Sequence, residues 1–389
     1  MLTSLAFIFL IGLSMAAICQ KLKLPRIIGM LITGIVLGPY VLNLLDPSIL
    51  SISSELRQMA LIIILLKAGL SLNLSDLKKV GRPAIMMSCV PASFEILAFF
   101  LFAPYLLEVS RIEAAVMGAV LGAVSPAVVV PRMVQFMDSR YGTQKSIPQL
   151  VMAGASCDDI FVIVLFTTFV SMAQGGQVHI MDFVNIPISI ILGIALGALV
   201  GFLLSIFFET AYAHKHCVRN SMKVIIVLGI SFMLMAIESW AEDFVSISGL
   251  LAVVSMACVL KLKSIAFVSK RLSEKFGKLW IAAEVILFVL VGAAVDIRYT
   301  MGAGLSAIAM IFLALIFRGI GVSICLVKTN LNWKERLFCV IAYLPKATVQ
   351  AAIGSVPLAM GLPCGQIVLS VAVLAILITA PLGAIGMDL

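Results

Sequence analysis

Charge is what this chain has least of. Only 12% of its 389 residues are Asp, Glu, Lys or Arg, about half the share of an ordinary soluble domain. With 62% hydrophobic residues and a mean hydropathy of +1.18, that scarcity excludes a water-soluble globule. A long polar segment is missing too. About thirteen apolar stretches of roughly 16 to 27 residues follow one another across short polar loops, which leaves no separate soluble domain. Paired cysteines are also absent. The eight cysteines stand singly, with no CxxC or CxxH spacing, so neither a disulfide framework nor a cysteine metal centre is expected, and no cofactor. Met1 to Cys19 has no basic n-region and no clear small-residue cleavage site, so it reads as a retained first helix.

The net charge of +8 does not point to nucleic acid, because the basic residues alternate along the chain. Every second loop is basic, from Lys21, Lys23 and Arg26 in the first to Lys328, Lys334 and Arg336 in the last. The loop Lys261 to Lys278 holds six basic residues, whereas the intervening loops keep only Arg57, Arg111 and Arg298. That alternation predicts an odd number of spans with the N-terminus outside and the C-terminus in the cytoplasm, in a cell membrane read as a bacterial inner membrane.

Charges inside apolar stretches are then the informative residues. Asp158 and Asp159 lie near the middle of Ile147 to Met172, which puts both near the bilayer midplane of a helix rising about 1.5 Å per residue. An ionised Asp there costs about 2.5–3.5 kcal/mol, so the pair needs partners, water or a bound cation. Glu95 sits mid-span in PASFEILAF and Arg318 in LALIFRGIGV. Two stretches carry helix breakers: GAVSPAVVVP, with Ser125 and Pro126, and YLPKATVQ, with Pro345 and Lys346.

These features recur at an offset of about 220 residues. Gly29 aligns with Gly249, Pro126 with Pro345 and Glu95 with Arg318. An odd number of spans separates each pair, so the second copy enters the membrane upside down. The predicted fold is an all-α polytopic membrane protein of about 13 transmembrane helices, with two inverted repeats and a crossed pair of broken helices.

Half-helix ends at the breaks carry partial charges that Asp158 or Asp159 offsets at the positive ends and Lys346 at the negative ones. Unwound carbonyls there are expected to bind a cation. Neighbours on a helix diverge by about 100°, so one aspartate faces the breaks and the other faces elsewhere. Ser156, three residues before Asp159, and Ser125 add hydroxyls, a hard-oxygen set suited to Na⁺ or Li⁺. Two carboxylates of like charge resist joint ionisation, so the site can hold a cation or protons in turn. Glu95 and Arg318 come to similar depths and read as a structural ion pair, since arginine keeps its proton in a protein.

Together GASCDDIFVIV, GAVSPAVVVP, ISGLLAVV and LPKATVQAAIG resemble sodium/proton antiporters of the cation:proton antiporter superfamily. The paired aspartates and the PKATVQ stretch are most similar to its NHA-type branch. The resemblance covers essentially the whole chain. It implies Na⁺ (or Li⁺)/H⁺ exchange by an elevator-like mechanism, a homodimer in membrane lipid, Asp159 as principal ion- and proton-binding residue and Asp158 as its partner. Residues 1–82 and 175–300 would then form a dimerisation scaffold, and 83–174 and 301–389 a mobile ion-binding core, within one transmembrane domain. Arg318 stands where many electrogenic relatives carry lysine, which implies electroneutral exchange. Competing readings are a K⁺/H⁺ antiporter or Na⁺-coupled organic anion carrier of the same fold, and a non-transporting receptor or assembly subunit. None of these is an enzyme.

Overall fold

The computed structural model describes residues 1–71, 80–174, 180–213, 219–241 and 247–388. Every regular element among them is helical: one 3₁₀ turn at Thr143–Lys145 and the α-helices that follow. In chain order these are α1 (Leu2–Lys21), α2 (Arg26–Leu37), α3 (Pro47–Ser51), α4 (Ser53–Ser71), α5 (Arg82–Met87), α6 (Val90–Leu106), α7 (Arg111–Leu121), α8 (Pro126–Asp138) and α9 (Ile147–Gln174). The second half holds α10 (Ile180–Ala213), α11 (Asn220–Ala241), α12 (Gly249–Lys263), α13 (Ala266–Ala293), α14 (Ile297–Cys325), α15 (Trp333–Ala342), α16 (Thr348–Gly354), α17 (Val356–Ala359) and α18 (Gly365–Asp388). Eight helices among the described residues are long and apolar enough to cross a membrane. The expected count of about thirteen is not confirmed. Breaks divide two of the stretches into short helices, and α4 carries Glu55, Arg57 and Lys67.

The basic segment Lys261 to Lys278 is not the loop its charge suggests. α12 runs on through Lys263 and α13 begins at Ala266. Lys, Arg, Glu and Leu are good helix formers, and Leu272, Phe276 and Trp280, spaced four apart, bury one face of the helix.

One compact unit comprises Met1–Arg57, Asn73–Gln174 and Val285–Leu389. In it α1 packs on α2 and α6 lies along α14. The backbones of α2 and the end of α13 touch: a Cβ on Gly34 would collide with the Val289 carbonyl, and one on Gly292 with that of Leu31. This is the close approach that the glycines of α2 permit. Both broken helices start with the same device. Ser110 and Glu113 form a capping box at α7, and Asn332 and Glu335 form one at α15. The boxes lie about 220 positions apart, in register with the inverted repeat. They extend each helix beyond its apolar run, so α7 starts at Arg111 and α15 at Trp333. After the breaks, α7 and α8 pack on α9, and α15, α16 and α17 pack on α18.

The other unit comprises Gln58–Leu72 and Gly175–Glu284. Within it α10 runs along α12. Gly193, Gly197 and Gly201 recur every four residues, and a Cβ on any of them would strike the backbone of Ser248, Ala252 or Met256. The stripe brings the two helix backbones into direct contact.

Candidate ion site at the helix breaks

All the candidate residues lie in the first unit. α7 ends at Leu121 and α8 begins at Pro126, with Ser125 at the N-cap. Proline suits the first helical position, where its missing N–H is not needed. α15 ends at Ala342 and α16 begins at Thr348, so Tyr343 to Ala347 form the second break. The breaks meet directly, because the Ser125 N–H donates to the Pro345 carbonyl at 2.8 Å. Pro345 fits there because Gly383 of α18 has no Cβ to collide with its ring.

The long helix that follows each break caps it. The Val124 N–H donates to Asp158 Oδ2 of α9 at 2.8 Å, across 34 residues. In the second repeat the Lys346 N–H donates to Thr379 Oγ1 of α18 at 2.9 Å, across 33 residues. Thr379 is therefore the neutral counterpart of Asp158.

Cationic side chains of the second repeat bind the first. Arg318, fully buried on α14, uses its whole fork. Nη1 donates to Glu95 Oε2 at 2.7 Å and to the Gly122 carbonyl, Nη2 to Asp158 Oδ2 at 2.9 Å, and Nε to the Tyr343 carbonyl at 2.6 Å. It thus joins the C-terminal, partially negative ends of α7 and α15. Lys346 Nζ donates to Glu95 Oε2 at 2.6 Å and to the Ala123 carbonyl at 3.2 Å. So Glu95 and Arg318 do pair, but not in isolation: both belong to a four-charge network with Asp158 and Lys346.

The network changes which oxygens can bind a cation. The carbonyls of Gly122, Tyr343 and Pro345 each accept one hydrogen bond and that of Ala123 accepts two, so the network competes with a cation for these oxygens and engages both lone pairs at Ala123. Among the described residues, Ser125 Oγ, Asp158 Oδ1, Asp159 Oδ1 and the Tyr343 hydroxyl are buried side-chain oxygens that lack a hydrogen bond. Asp158 is completely buried and Asp159 is 7% exposed. Asp158 faces the breaks, and Asp159, one step round the helix, has no ionic partner among the described residues. The Ser156 side chain lies outside the described residues.

A family profile described as "Sodium/hydrogen exchanger, transmembrane" matches residues 5–387. The human protein "Sodium/hydrogen exchanger 9B2" is 34% identical over 377 residues, covering 93% of this chain and 68% of its own length. Human "Sodium/hydrogen exchanger 9B1" is 31% identical, covering 94% of this chain and 72% of its own. The chain belongs to the sodium/hydrogen exchanger family. The sodium proton antiporter MjNhaP1 of Methanocaldococcus jannaschii shares the exchanger's fold, with a TM-score of 0.79 at 22% identity over 99% of this chain and 95% of its own. The exchanger is thus an integral membrane transporter and not an enzyme, in line with the resemblance carried by its four motifs.

Three site residues of the exchanger are silent in its sequence. Thr379 could have been found by projecting Asp158 across the repeat. Gln350 stands four residues after Lys346, at the third position of α16 beyond the break. Tyr343 has a buried ring 5.5 Å from the Arg318 guanidinium carbon, and nothing in a stretch so apolar marks it out.

Proposed function

We propose that the exchanger swaps Na⁺ or Li⁺ for H⁺, one for one, with Asp159 taking each in turn. The observation that carries this reading is the charge balance of the buried cluster. Glu95 and Asp158 are matched by Arg318 and Lys346, which leaves Asp159 as the buried carboxylate of the site that makes no ion pair among the described residues. An unpartnered carboxylate at such depth is too expensive to persist ionised, so it is stable only when it holds a proton or a metal cation. A group that must hold one or the other exchanges them. Asp158 Oδ1 and Ser125 Oγ supply further hard oxygens for Na⁺ or Li⁺, and Ser156, three residues before Asp159, is a fourth candidate. Asp158 keeps its charge because Arg318 and the Val124 N–H engage its other oxygen.

Residues 83–174 and 301–389 carry every one of these groups, and we assign them to a mobile core that moves the site in an elevator-like cycle. Residues 1–82 and 175–300 form the scaffold through which two copies join in the lipid bilayer. The alternation of basic and non-basic segments along the sequence supports an N-terminus outside and a C-terminus in the cytoplasm of the cell membrane.

The test is proton movement in proteoliposomes on addition of Na⁺, Li⁺ or K⁺. Exchange with Na⁺ and Li⁺ is expected, and Asp159→Asn is expected to abolish it while leaving folded protein. Response to K⁺ alone would overturn the ion assignment, and wild-type rates in Asp159→Asn would overturn the assignment of the binding residue.

A further inference from the structure

Gln350 is fully buried at the third position of α16, and its side chain spans the two breaks. Oε1 accepts from the Ala347 N–H at 2.7 Å, the reaching-back half of a capping box. Nε2 donates to the Ala123 carbonyl at 2.7 Å, across 227 residues. Both partners are main-chain groups of fixed polarity, so the amide has one orientation only.

The Ala123 carbonyl and the Val124 N–H belong to a single rigid peptide plane. Its oxygen receives Gln350 Nε2 and Lys346 Nζ, and its N–H points at Asp158 Oδ2, 2.8 Å away. Hydrogen bonds in series polarise one another, so a donor on the oxygen strengthens the N–H as a donor at the other end. Rotating the plane would break all three bonds together. No helix holds it, because residues 122–125 lie between α7 and α8. The orientation of this peptide therefore rests on side chains, and Lys346, at 3.2 Å and shared with Glu95, is the weaker holder.

We infer that Gln350 is a positioning residue for the ion site: its amide fixes the Ala123–Val124 peptide so that the Val124 N–H stays on Asp158 Oδ2 and leaves Oδ1 free for the cation. What Asp158 does for the cation rests on the function proposed above; the hold on the peptide does not.

Two variants separate the ends of the amide. Gln350→Glu keeps an oxygen for the Ala347 N–H but has no donor for Ala123, and Gln350→Met loses both. Hydrogen exchange of the backbone amides across residues 122–128, read by mass spectrometry on the whole protein, reports on the peptide directly. The apparent KM for Li⁺ in proteoliposomes reports on the site. Faster exchange at Val124 is expected in both variants, with KM raised about three- to ten-fold, the size of one or two neutral hydrogen bonds. A residue that only fills space would lower thermal stability in Gln350→Met without moving KM in either variant.

Unchanged exchange at Val124 in both variants overturns the inference, and so does an effect confined to Gln350→Glu, which would report its new charge beside Lys346. If Gln350→Met fails to fold, Gln350→Leu, which also lacks both hydrogen-bonding ends and adds no charge, takes its place: faster exchange at Val124 there as in Gln350→Glu supports the role, and no difference at Val124 removes it. Absence of any cation-driven proton movement in wild type would refute the proposed function, while the amide exchange at Val124 would still decide the role of Gln350.

Discussion

At the scale of single residues, Arg318 does what no other side chain could do from its position. Its planar fork meets two carboxylates and two helix-end carbonyls at once, a geometry that a lysine ammonium cannot reproduce. Arg318→Lys is therefore expected to behave more like a deletion than a conservative change. Arg318→Ala strands Asp158, whose only ionic partner among the described residues is Arg318, and losses of about 3–5 kcal/mol follow from removing one side of a buried pair. Glu95→Gln removes the carboxylate from Lys346 but should cost less, because the amide oxygen can still accept from Arg318 and Lys346 and Arg318 keeps Asp158. Melting temperatures of the singles and the double variant in detergent check this; strictly additive losses would mean that Glu95 and Arg318 do not interact. Tyr343 supplies a second test. Its buried hydroxyl has no hydrogen bond and occupies the space where a Cβ on Gly154 of α9 would sit. Gly154→Ala is thus expected to destabilise by about 1–3 kcal/mol through overpacking. Tyr343→Phe alone should be close to neutral, since it breaks no bond, and should restore stability when combined with Gly154→Ala. A double variant as unstable as Gly154→Ala would show that the collision lies elsewhere.

At the scale of elements, the two broken helices are built alike, and equal perturbations should have equal effects. Ser110→Ala and Asn332→Ala each remove the side chain that caps the first turn, and each is expected to lower stability by about 1 kcal/mol. The second cap has an added pH dependence. Lys145 Nζ, 2.7 Å from Glu335 Oε2, and the Asn332 N–H hold this carboxyl, which precedes the apolar part of α15, below the usual carboxylate range. A carboxyl depressed on folding contributes stability above its unfolded value of about 4.3 and loses it as pH falls through the folded value. The Asn332 cap should therefore weaken on acidification below about pH 4, and Lys145→Met should move that loss to higher pH. These boxes also show what can be read from the chain alone. The breaks, the aspartate pair and the Glu95–Arg318 match are legible, because a charge or a proline inside an apolar stretch is costly and therefore conspicuous. Gln350, Tyr343 and Thr379 are not, because uncharged polar residues are common in such stretches and their partners lie 25 to 227 positions away. The Lys261–Lys278 segment misleads in the other direction: charge suggests a loop, whereas buried Leu272 and Phe276, in line with Trp280 just beyond, make residues 266–278 part of α13.

At the scale of the whole molecule, the buried charges determine whether transport carries current. Glu95, Asp158, Arg318 and Lys346 sum to zero and hold one another through hydrogen bonds of 2.6 to 2.9 Å. If that set crosses the membrane field as a unit, it contributes no net charge in either direction. Asp159 then carries a neutral load both ways, as carboxylate with Na⁺ or as carboxylic acid with H⁺. Exchange is accordingly expected to be electroneutral. Proteoliposomes driven by a Na⁺ gradient provide the measurement, with the membrane potential clamped first to zero and then to about 100 mV, a setting worth about 2.3 kcal/mol for each charge moved. Equal rates at the two settings are the expected result. A rate that responds strongly to potential would mean that a second group changes its proton within the cycle. Only two members of the cluster could do so, since Arg318 keeps its proton and Glu95 accepts from both Arg318 and Lys346. Lys346→Gln and Asp158→Asn separate them: the variant that removes the potential dependence while still moving cations identifies the second carrier, and the one-for-one reading would then be replaced by two protons per cation.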